Sequence, residues 1–167
     1  MMVRLDMRAA TLEDADFLFG LANDPYVRQN SVAVEPISVD VHTQWMRNML
    51  RRIESGHAVM YVAWCDCVDG STARCGVFRV DNAGSVSVAI HEAYRGKGLA
   101  AEILQRGTRN CYQEIGRKEY IAWIKPDNIP SQKAFAKAGF ERRGEQSFPG
   151  KRVNGPVCQM WVCRVFE

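Results

Sequence analysis

The feature that most constrains the fold is a glycine-rich basic turn between an apolar run and a helical segment, VAIHEAYRGKGLAAEIL. The run SVSVAI that leads into the turn alternates as a strand does. From Leu99 to Glu114 apolar residues recur at helical spacing, and Gly116 provides a typical helix end. The next apolar run, EYIAWI, is typical of a buried strand. The order strand, turn, helix, strand predicts a crossover unit in a mixed sheet.

The segments before this unit predict a short first strand, two helices and the two strands of a hairpin. VRLDM is predicted as a short strand, and the capping sequence TLED opens a helix at Thr11 that runs to about Ala22. NDPYVRQNS is predicted as a turn because Asp24-Pro25 breaks the helical pattern. A second helix runs from the cap Ser38 to Gly56, and HAVMYVAWC and ARCGVFRV form the hairpin. The apolar stripe of this helix is predicted to face the core and comprises Val41, Trp45, Met49 and Ile53.

The segments after the unit predict a proline-started helix, PDNIPSQKAFAKAGF, and two last strands, FERRGEQSF and PVCQMWVCRVF, around the turn PGKRVNG. We therefore predict one domain over residues 1–167 of the α+β class. Its central mixed, mostly antiparallel sheet has about seven strands and is flanked by about four helices. The last strand is apolar on both faces, so it either lies at the centre of the sheet or pairs across a homodimer.

Composition is that of an ordinary globular domain. The 22 basic and 19 acidic residues leave a net charge of +3 with no long run of like charge, which indicates a solvated surface rather than a nucleic-acid partner. No apolar segment approaches the roughly 20 residues that span a bilayer. The start MMVRLDMRAA lacks the apolar stretch of a secretory signal. A cytoplasmic protein that does not bind membranes is expected.

The six cysteines form no C-x-x-C pair. Cys65 and Cys67 fall on one face of a strand, which with Cys75 leaves a metal site open as an alternative. The three histidines lack the spacing of zinc ligands, so buried reduced thiols and no metal are predicted.

The turn itself suits a phosphate or pyrophosphate. Gly96 and Gly98 allow backbone amides to curve toward a ligand, and the helix that follows adds unpaired N–H groups and partial positive charge. Arg95 and Lys97 add full charges. GKGLAA also fits the dinucleotide pattern G-x-G-x-x-A, but five residues separate Ile90 from Gly96, where that fold wants the glycine directly after its strand. No P-loop motif is present.

Two motifs together resemble those of the GNAT acetyltransferase superfamily. RGKGLA reads as [Q/R]-x-x-G-x-[G/A], and N-x-x-S-x-x-x-F-x-x-x-G-F runs from Asn128 to Phe140. The resemblance implies an enzyme that uses acetyl-CoA to acetylate amines. It also implies coenzyme contacts from the strand before the turn, from the turn and from the second motif: Val88, Ala89, Ile90, Arg95, Gly96, Lys97, Gly98, Leu99, Ala100, Asn128, Ser131 and Phe135.

The same resemblance suggests catalytic roles. The backbone at Ile90 would polarise the thioester carbonyl. Phe135 stands where many members carry a tyrosine acid, so Ser131 is the candidate for a hydrogen bond to the sulfur; otherwise Ser131 is simply a polar first-turn residue. His91 and Glu92 are the candidate bases, unless they are solvated loop residues and water carries the proton away.

The acceptor side falls in the N-terminal third. NDPYVRQNS resembles a branch that acetylates nucleotide-linked amino sugars, and the implied acceptor contacts are Asn23, Tyr26, Arg28, Asn30, Ser31 and Trp45. Arg28 would meet a phosphate or, alternatively, bridge backbone carbonyls. The predicted substrate is therefore a nucleotide-linked amino sugar. A protein N-terminus, as in ribosomal-protein acetyltransferases, is second, and polyamines or aminoglycosides are third. A non-catalytic acetyl-CoA-binding module is the alternative from another class.

Overall fold

A computed structural model describes residues 4–149 and 155–165 of the chain. Within these residues the chain forms seven strands and five α-helices, with single 3₁₀ turns before α1 and before α4. The elements in chain order are β1 (Leu5–Ala9), α1 (Ala15–Ala22), α2 (Pro25–Asn30), α3 (Val39–Glu54), β2 (Val59–Asp66), β3 (Thr72–Val80), β4 (Val86–Ile90), α4 (Leu99–Ile115), β5 (Glu119–Ile124), α5 (Ile129–Lys137), β6 (Glu141–Ser147) and β7 (Val157–Arg164).

The strands form two antiparallel sheets that meet at one point. One sheet has the order β1-β2-β3-β4 and the other the order β5-β7-β6. A parallel bridge between Ser85 and Ile121 joins them, and the Ile121 N–H donates to the Gly84 carbonyl at 2.9 Å. The predicted α+β fold with a mixed, mostly antiparallel sheet of seven strands is thus confirmed.

Both faces of the first sheet are covered, which explains the nearly continuous apolar sequence of β2. Val59, Tyr61 and Ala63 point into a core beneath α4, whereas Met60 and Val62 point into a second core beneath α1 and α3. Strands that are buried on both sides lose the polar half of the usual alternation.

Helix α4 is the element that the sequence predicted best. It begins directly after the glycine turn and ends at Gly116, whose φ of 70° is the left-handed conformation of a helix end. Gly107 on its inner face allows close packing, because a Cβ there would lie 2.5 Å from the ring of Phe78. A glycine at this point brings the helix, and with it the glycine turn, tightly onto β3.

In the N-terminal third one prediction was wrong and a second was right only in part. NDPYVRQNS is not a turn but contains α2, whose N-cap Asp24 accepts a hydrogen bond from the Val27 N–H at 3.1 Å and whose first residue is Pro25. Proline fits the first position of a helix because its missing N–H would be unpaired there. In α3 the buried positions are His42, Met46 and Met49, and Val41 is 61% exposed. The packed face therefore keeps Trp45, Met49 and Ile53 of the predicted stripe, which contact the second core, but not Val41.

The last strand lies at the centre of its sheet. β7 pairs with β5 on one edge and with β6 on the other, which accounts for its apolar sequence on both faces. Most of the turn PGKRVNG lies outside the described residues.

All six cysteines are reduced, and five of them are buried. In the described part of the chain, no group of three or more histidine, cysteine or acidic side chains is placed to hold a metal ion. No helix described here is long and apolar enough to cross a membrane.

Candidate active site

A cleft of about 930 Å³ opens where the two sheets part. β4 and β5 are bridged at Ser85 and Ile121, near the start of β4, and no other pair of residues joins them in the described structure. Toward their C-terminal ends, Val88 and Ile90 line one wall, and Trp123 and Ile124 line the other. The crossover unit predicted from sequence therefore ends in a gap between parallel neighbours, a common place for a ligand.

The backbone of β4 presents free groups to this gap. The His91 N–H donates to the Cys75 carbonyl at 2.9 Å, and Ala89 lies opposite Val77 in the same register. Because hydrogen bonding alternates along an antiparallel strand, the amide groups of Ala89 face β3, whereas those of Val88 and Ile90 face the gap. No strand of the described structure pairs with Val88 and Ile90 on that side.

The glycine turn lies at the same end of β4. Gly96 and Gly98 have φ values of 75° and 76°, in the left-handed region that favours glycine, and a Cβ at either residue would meet no atom within 4 Å. Gly98 is the N-cap of α4 and offers no side-chain acceptor, so the first N–H groups of α4 keep no local partner. An open cradle of amides at a helix N-terminus fits the diphosphate of a coenzyme.

Arg95 holds this turn in place. One of its terminal nitrogens lies 2.7 Å from Asp24 Oδ1, its Nε donates to the Ile90 carbonyl at 3.0 Å, and the guanidinium lies over the ring of Tyr26. Burial alone would raise the pKa of Asp24, but the hydrogen bonds from Arg95 and the Val27 N–H outweigh it and lower that pKa. The Arg95 charge is thus already compensated. The amides and the exposed Lys97 remain for a diphosphate.

The start of α5 forms the wall beyond β5. Asn128 Oδ1 accepts the Ser131 N–H at 3.3 Å, which caps the helix. Ser131 borders the cleft, and its hydroxyl has no partner among the residues described. Phe135 is 3% exposed and packs edge-on against Phe140 with ring centroids 4.9 Å apart. Among these residues only Ser131 offers a hydroxyl to the cleft.

His91 and Glu92 lie outside the cleft. His91 Nδ1 accepts the Ala93 N–H at 3.2 Å, and its ring packs near Phe17 and Tyr94. Together with Glu92 it borders a separate small hollow on the side of α1. The structure therefore does not bring the two candidate bases together with Ser131.

The predicted acceptor residues divide into two groups. Tyr26, Arg28, Asn30, Ser31 and Trp45 line the cleft.

Asn23 does not line the cleft, because its amide is hydrogen-bonded to both the N–H and the carbonyl of Ile37. Arg28 donates to the carbonyls of Ala22 at 2.6 Å and Ala33 at 2.9 Å and to the Ser31 hydroxyl, so it has the bridging role that was the alternative to a phosphate contact.

Sequence reasoning missed two residues of this site. His42 of α3 is 5% exposed, and Arg79 of β3 lies with its guanidinium 5.4 Å from the centre of the Trp45 ring; both line the cleft. An arginine inside the apolar strand ARCGVFRV was the signal that could have identified Arg79. His42 carried no such signal, because its helix is rich in polar residues.

The fold and the cleft are those of an acetyltransferase that binds a coenzyme A thioester between two splayed strands. The sequence model of the Acetyltransferase (GNAT) domain matches residues 4–141, and the chain belongs to that family. It is an acetyl-CoA-dependent N-acyltransferase.

Known relatives and solved structures agree with this assignment. Over 157 residues the chain is 28% identical to the Bacillus subtilis (strain 168) protein named "Putative phosphinothricin acetyltransferase YwnH", covering 87% of this chain and 88% of the relative. RimL, a ribosomal L7/L12 α-N-protein acetyltransferase solved with coenzyme A, superimposes with a TM-score of 0.78 at 16% identity over 96% of this chain and 94% of its own. Spermidine N-acetyltransferase from Vibrio cholerae superimposes with a TM-score of 0.74 at 15% identity, over 96% of this chain and 95% of its own. The two structures share the fold.

Proposed function

We propose that this protein transfers the acetyl group of acetyl-CoA to the primary amine of a nucleotide-linked amino sugar. The observation that carries the transferase part is the pair of N–H groups on β4, at Val88 and Ile90, that have no partner among the described residues and lie directly upstream of the left-handed glycine turn. A strand edge and a helix N-terminus in one line provide hydrogen-bond donors for an amide-containing arm and for a diphosphate.

The residues that would hold the coenzyme have distinct tasks. The amides from Gly96 to Ala100, with Lys97, would bind the diphosphate, and the Val88 and Ile90 backbone would bind the pantetheine arm. When bound, acetyl-CoA supplies an activated acyl thioester. An N–H of Val88 or Ile90 would donate to the carbonyl oxygen as negative charge grows on it, and a rigid strand does so without reorganisation.

Proton transfer in this proposal uses few side chains. Phe135 has no proton to give, so we propose that the Ser131 hydroxyl donates a hydrogen bond to the sulfur. No aspartate or glutamate of the described residues lines the cleft, and His91 and Glu92 border the other hollow. We therefore propose that the proton of the amine leaves through water in the open cleft.

Charge favours the proposed acceptor over polycations. The residues that line the cleft include Arg28, Arg79, Arg95, Lys133 and Lys137, and among those described they include no carboxylate. A polyamine or an aminoglycoside would need acidic partners, whereas a nucleotide-linked sugar carries a diphosphate. Aminoglycosides and the polyamine spermidine are the acceptors that the names of some structural neighbours mention.

A mass-spectrometric acceptor screen tests the proposal. The protein is incubated with acetyl-CoA and a panel of nucleotide-linked amino sugars, peptides with free N-termini, amino acids, spermidine and kanamycin. We expect acetylation of the amino sugars and thiol release at the same rate. Gly98→Trp is the matched control, because an indole in the open cradle would occupy the diphosphate position and abolish acetyl-CoA binding by calorimetry. Acetyl-CoA binding without turnover of any panel member would favour the non-catalytic module instead.

The cytoplasmic location and the homodimer stay predictions from the sequence. The apolar faces of β7 are explained within one chain, so they no longer argue for a dimer. Light scattering decides the oligomeric state.

A further inference from the structure

We infer that the acceptor half of the cleft contains an anion subsite formed by Arg79 and His42, which both contact Trp45. This subsite would bind an oxyanion group of the acceptor. The inference rests on the proposed function, because it names the chemical class of the amine that the cleft accepts. It adds residues that the family motifs do not include.

Arg79 is a partly buried cation whose guanidinium has no ion-paired or hydrogen-bonded partner in the described chain. It lies in β3 opposite Met60 of β2 and Ser87 of β4, and its guanidinium packs over Trp45. Its guanidinium makes no ion pair or hydrogen bond with the described residues. Removal from water lowers the pKa of this guanidinium, and the negative charge of Asp81 offsets that only in part. An isolated charge in such a place is costly unless an opposite charge compensates it. Because this side chain lines the cleft, a bound ligand is able to supply that charge.

His42 points to the same place. Its ring lies 5.3 Å from the Trp45 ring and 5.3 Å from the Phe19 ring, centre to centre, and the residue is 5% exposed. Its Nε2 is buried and lacks a hydrogen-bond partner. Burial lowers the pKa of His42, so a neutral imidazole with one N–H is present at neutral pH. Two polar groups that contact one indole and lack protein partners indicate a polar ligand.

The other cations of the cleft are already engaged or lie elsewhere. Arg28 is bound to backbone carbonyls and Arg95 to Asp24. Lys133 and Lys137 belong to α5, on the coenzyme side. Among the residues described, Arg79 is therefore the cation that remains for the acceptor.

The chemistry of these groups selects a carboxylate or a phosphoryl group. A guanidinium binds two oxygens of either group at once, and the N–H of His42 adds a third donor. The adjacent hydroxyl of Ser87 lies on the same face, directly across from Arg79. Cationic acceptors would be repelled. The preferred acceptor is thus an amine that carries an oxyanion.

Pairs of acceptors that differ only in an oxyanion group test the subsite by activity. One member of each pair has the oxyanion and the other lacks it: an amino sugar 1-phosphate with its methyl glycoside, and an amino acid with its amide. The wild type is expected to use the anionic member at least about tenfold better in kcat/KM. Arg79→Gln should remove this preference, mainly through KM, while acetyl-CoA affinity is unchanged. Arg79→Lys should restore part of it. The control Arg47→Gln removes the same charge from an exposed position of α3 and should keep the preference.

Trp45 fluorescence tests the subsite without turnover. Inorganic phosphate, acetate and a nucleoside diphosphate are titrated into the wild type, into Arg79→Gln and into Trp45→Phe. Saturable quenching in the wild type that both variants lack supports the subsite. The anion that quenches at the lowest concentration shows whether the subsite prefers a phosphoryl group or a carboxylate.

The outcomes separate this inference from the proposed function. If no acceptor is acetylated, the proposed function fails, and the fluorescence titration alone decides the subsite. Equal use of both members of each pair by the wild type, or better use of spermidine, overturns the inference. So does the absence of quenching by all three anions. If Arg79→Gln does not fold, as judged by circular dichroism, the wild-type preference and Arg79→Lys decide.

Discussion

The ion pair between Asp24 and Arg95 connects the N-cap of α2 to the glycine turn. The substitution Asp24→Asn removes the negative charge of this pair and little else. Asparagine caps a helix as well as aspartate does, so α2 keeps its N-cap. The Arg95 bond to the Ile90 carbonyl is also kept. What is lost is the negative charge opposite a guanidinium at 2.7 Å.

The magnitude follows from burial. The Arg95 and Asp24 side chains are 27% and 16% exposed, so the pair is neither fully solvated nor fully desolvated. Hydrogen bonds to charged groups contribute about 1.5–3 kcal/mol and neutral ones about 0.5–1.5. Because the Arg95 guanidinium stays charged and is able to donate to the asparagine oxygen, only part of this contribution is lost, and Asp24→Asn should lower the free energy of unfolding by about 1 kcal/mol. For a chain of this size that corresponds to about 2–4 °C in Tm.

The effect should depend on pH in one direction. The folded state holds the pKa of Asp24 below the ordinary 3.8, so the unfolded state binds the proton first as pH falls. The stabilisation is therefore complete above about 3.8 and disappears as pH drops through the folded pKa. The stability difference between wild type and Asp24→Asn should close over that window.

Urea unfolding at pH 7 and at several values below 4 measures both effects. Asp66→Asn is the control, since this exposed carboxylate makes no ion pair within the described chain. A double-mutant cycle with Arg95→Gln should return a coupling energy close to the single loss. Equal stability of Asp24→Asn and wild type at pH 7, or a difference that grows as the pH is lowered below 3.8, refutes the reasoning.

Three further predictions concern packing, titration and turnover. Gly107→Ala should lower the free energy of unfolding in urea by about 1–3 kcal/mol, because the added Cβ meets the ring of Phe78. Gly20→Ala in α1, where nothing lies within 4 Å of the added Cβ, should raise it by up to about 1 kcal/mol. The reverse order would contradict the packing of α4. Burial lowers the pKa of His42, so the free energy of unfolding should fall as pH drops below about 6.5 toward the folded pKa. Denaturation curves of His42→Gln should lack that part of the pH dependence. The same dependence of unfolding free energy on pH in wild type and His42→Gln would argue against this prediction. Ser131→Ala should keep acetyl-CoA affinity and lower kcat by at least about tenfold in a thiol-release assay, and an unchanged kcat would remove Ser131 from the mechanism.

Much of the fold was predictable because its signals are local. The limits of α4 follow from a glycine turn at one end and Gly116 at the other, and Ser38 marks the start of α3. The conformation of the glycine turn was predictable for the same reason, since its glycines and the helix N-terminus are neighbours in the chain. The short helix α2 was missed because a proline at its first position also looks like a turn.

The sequence by itself determined where the strands and most helices lie and which turn is predicted to hold a diphosphate, because backbone conformation and capping depend on adjacent residues. Only the tertiary structure decided which face of α3 is buried, that Arg95 pairs with Asp24, and that His42 and Arg79 meet at Trp45. These contacts depend on how a helix rotates against a sheet and on the register between strands. Pairing and packing of residues far apart in the chain set both, and no local pattern encodes them.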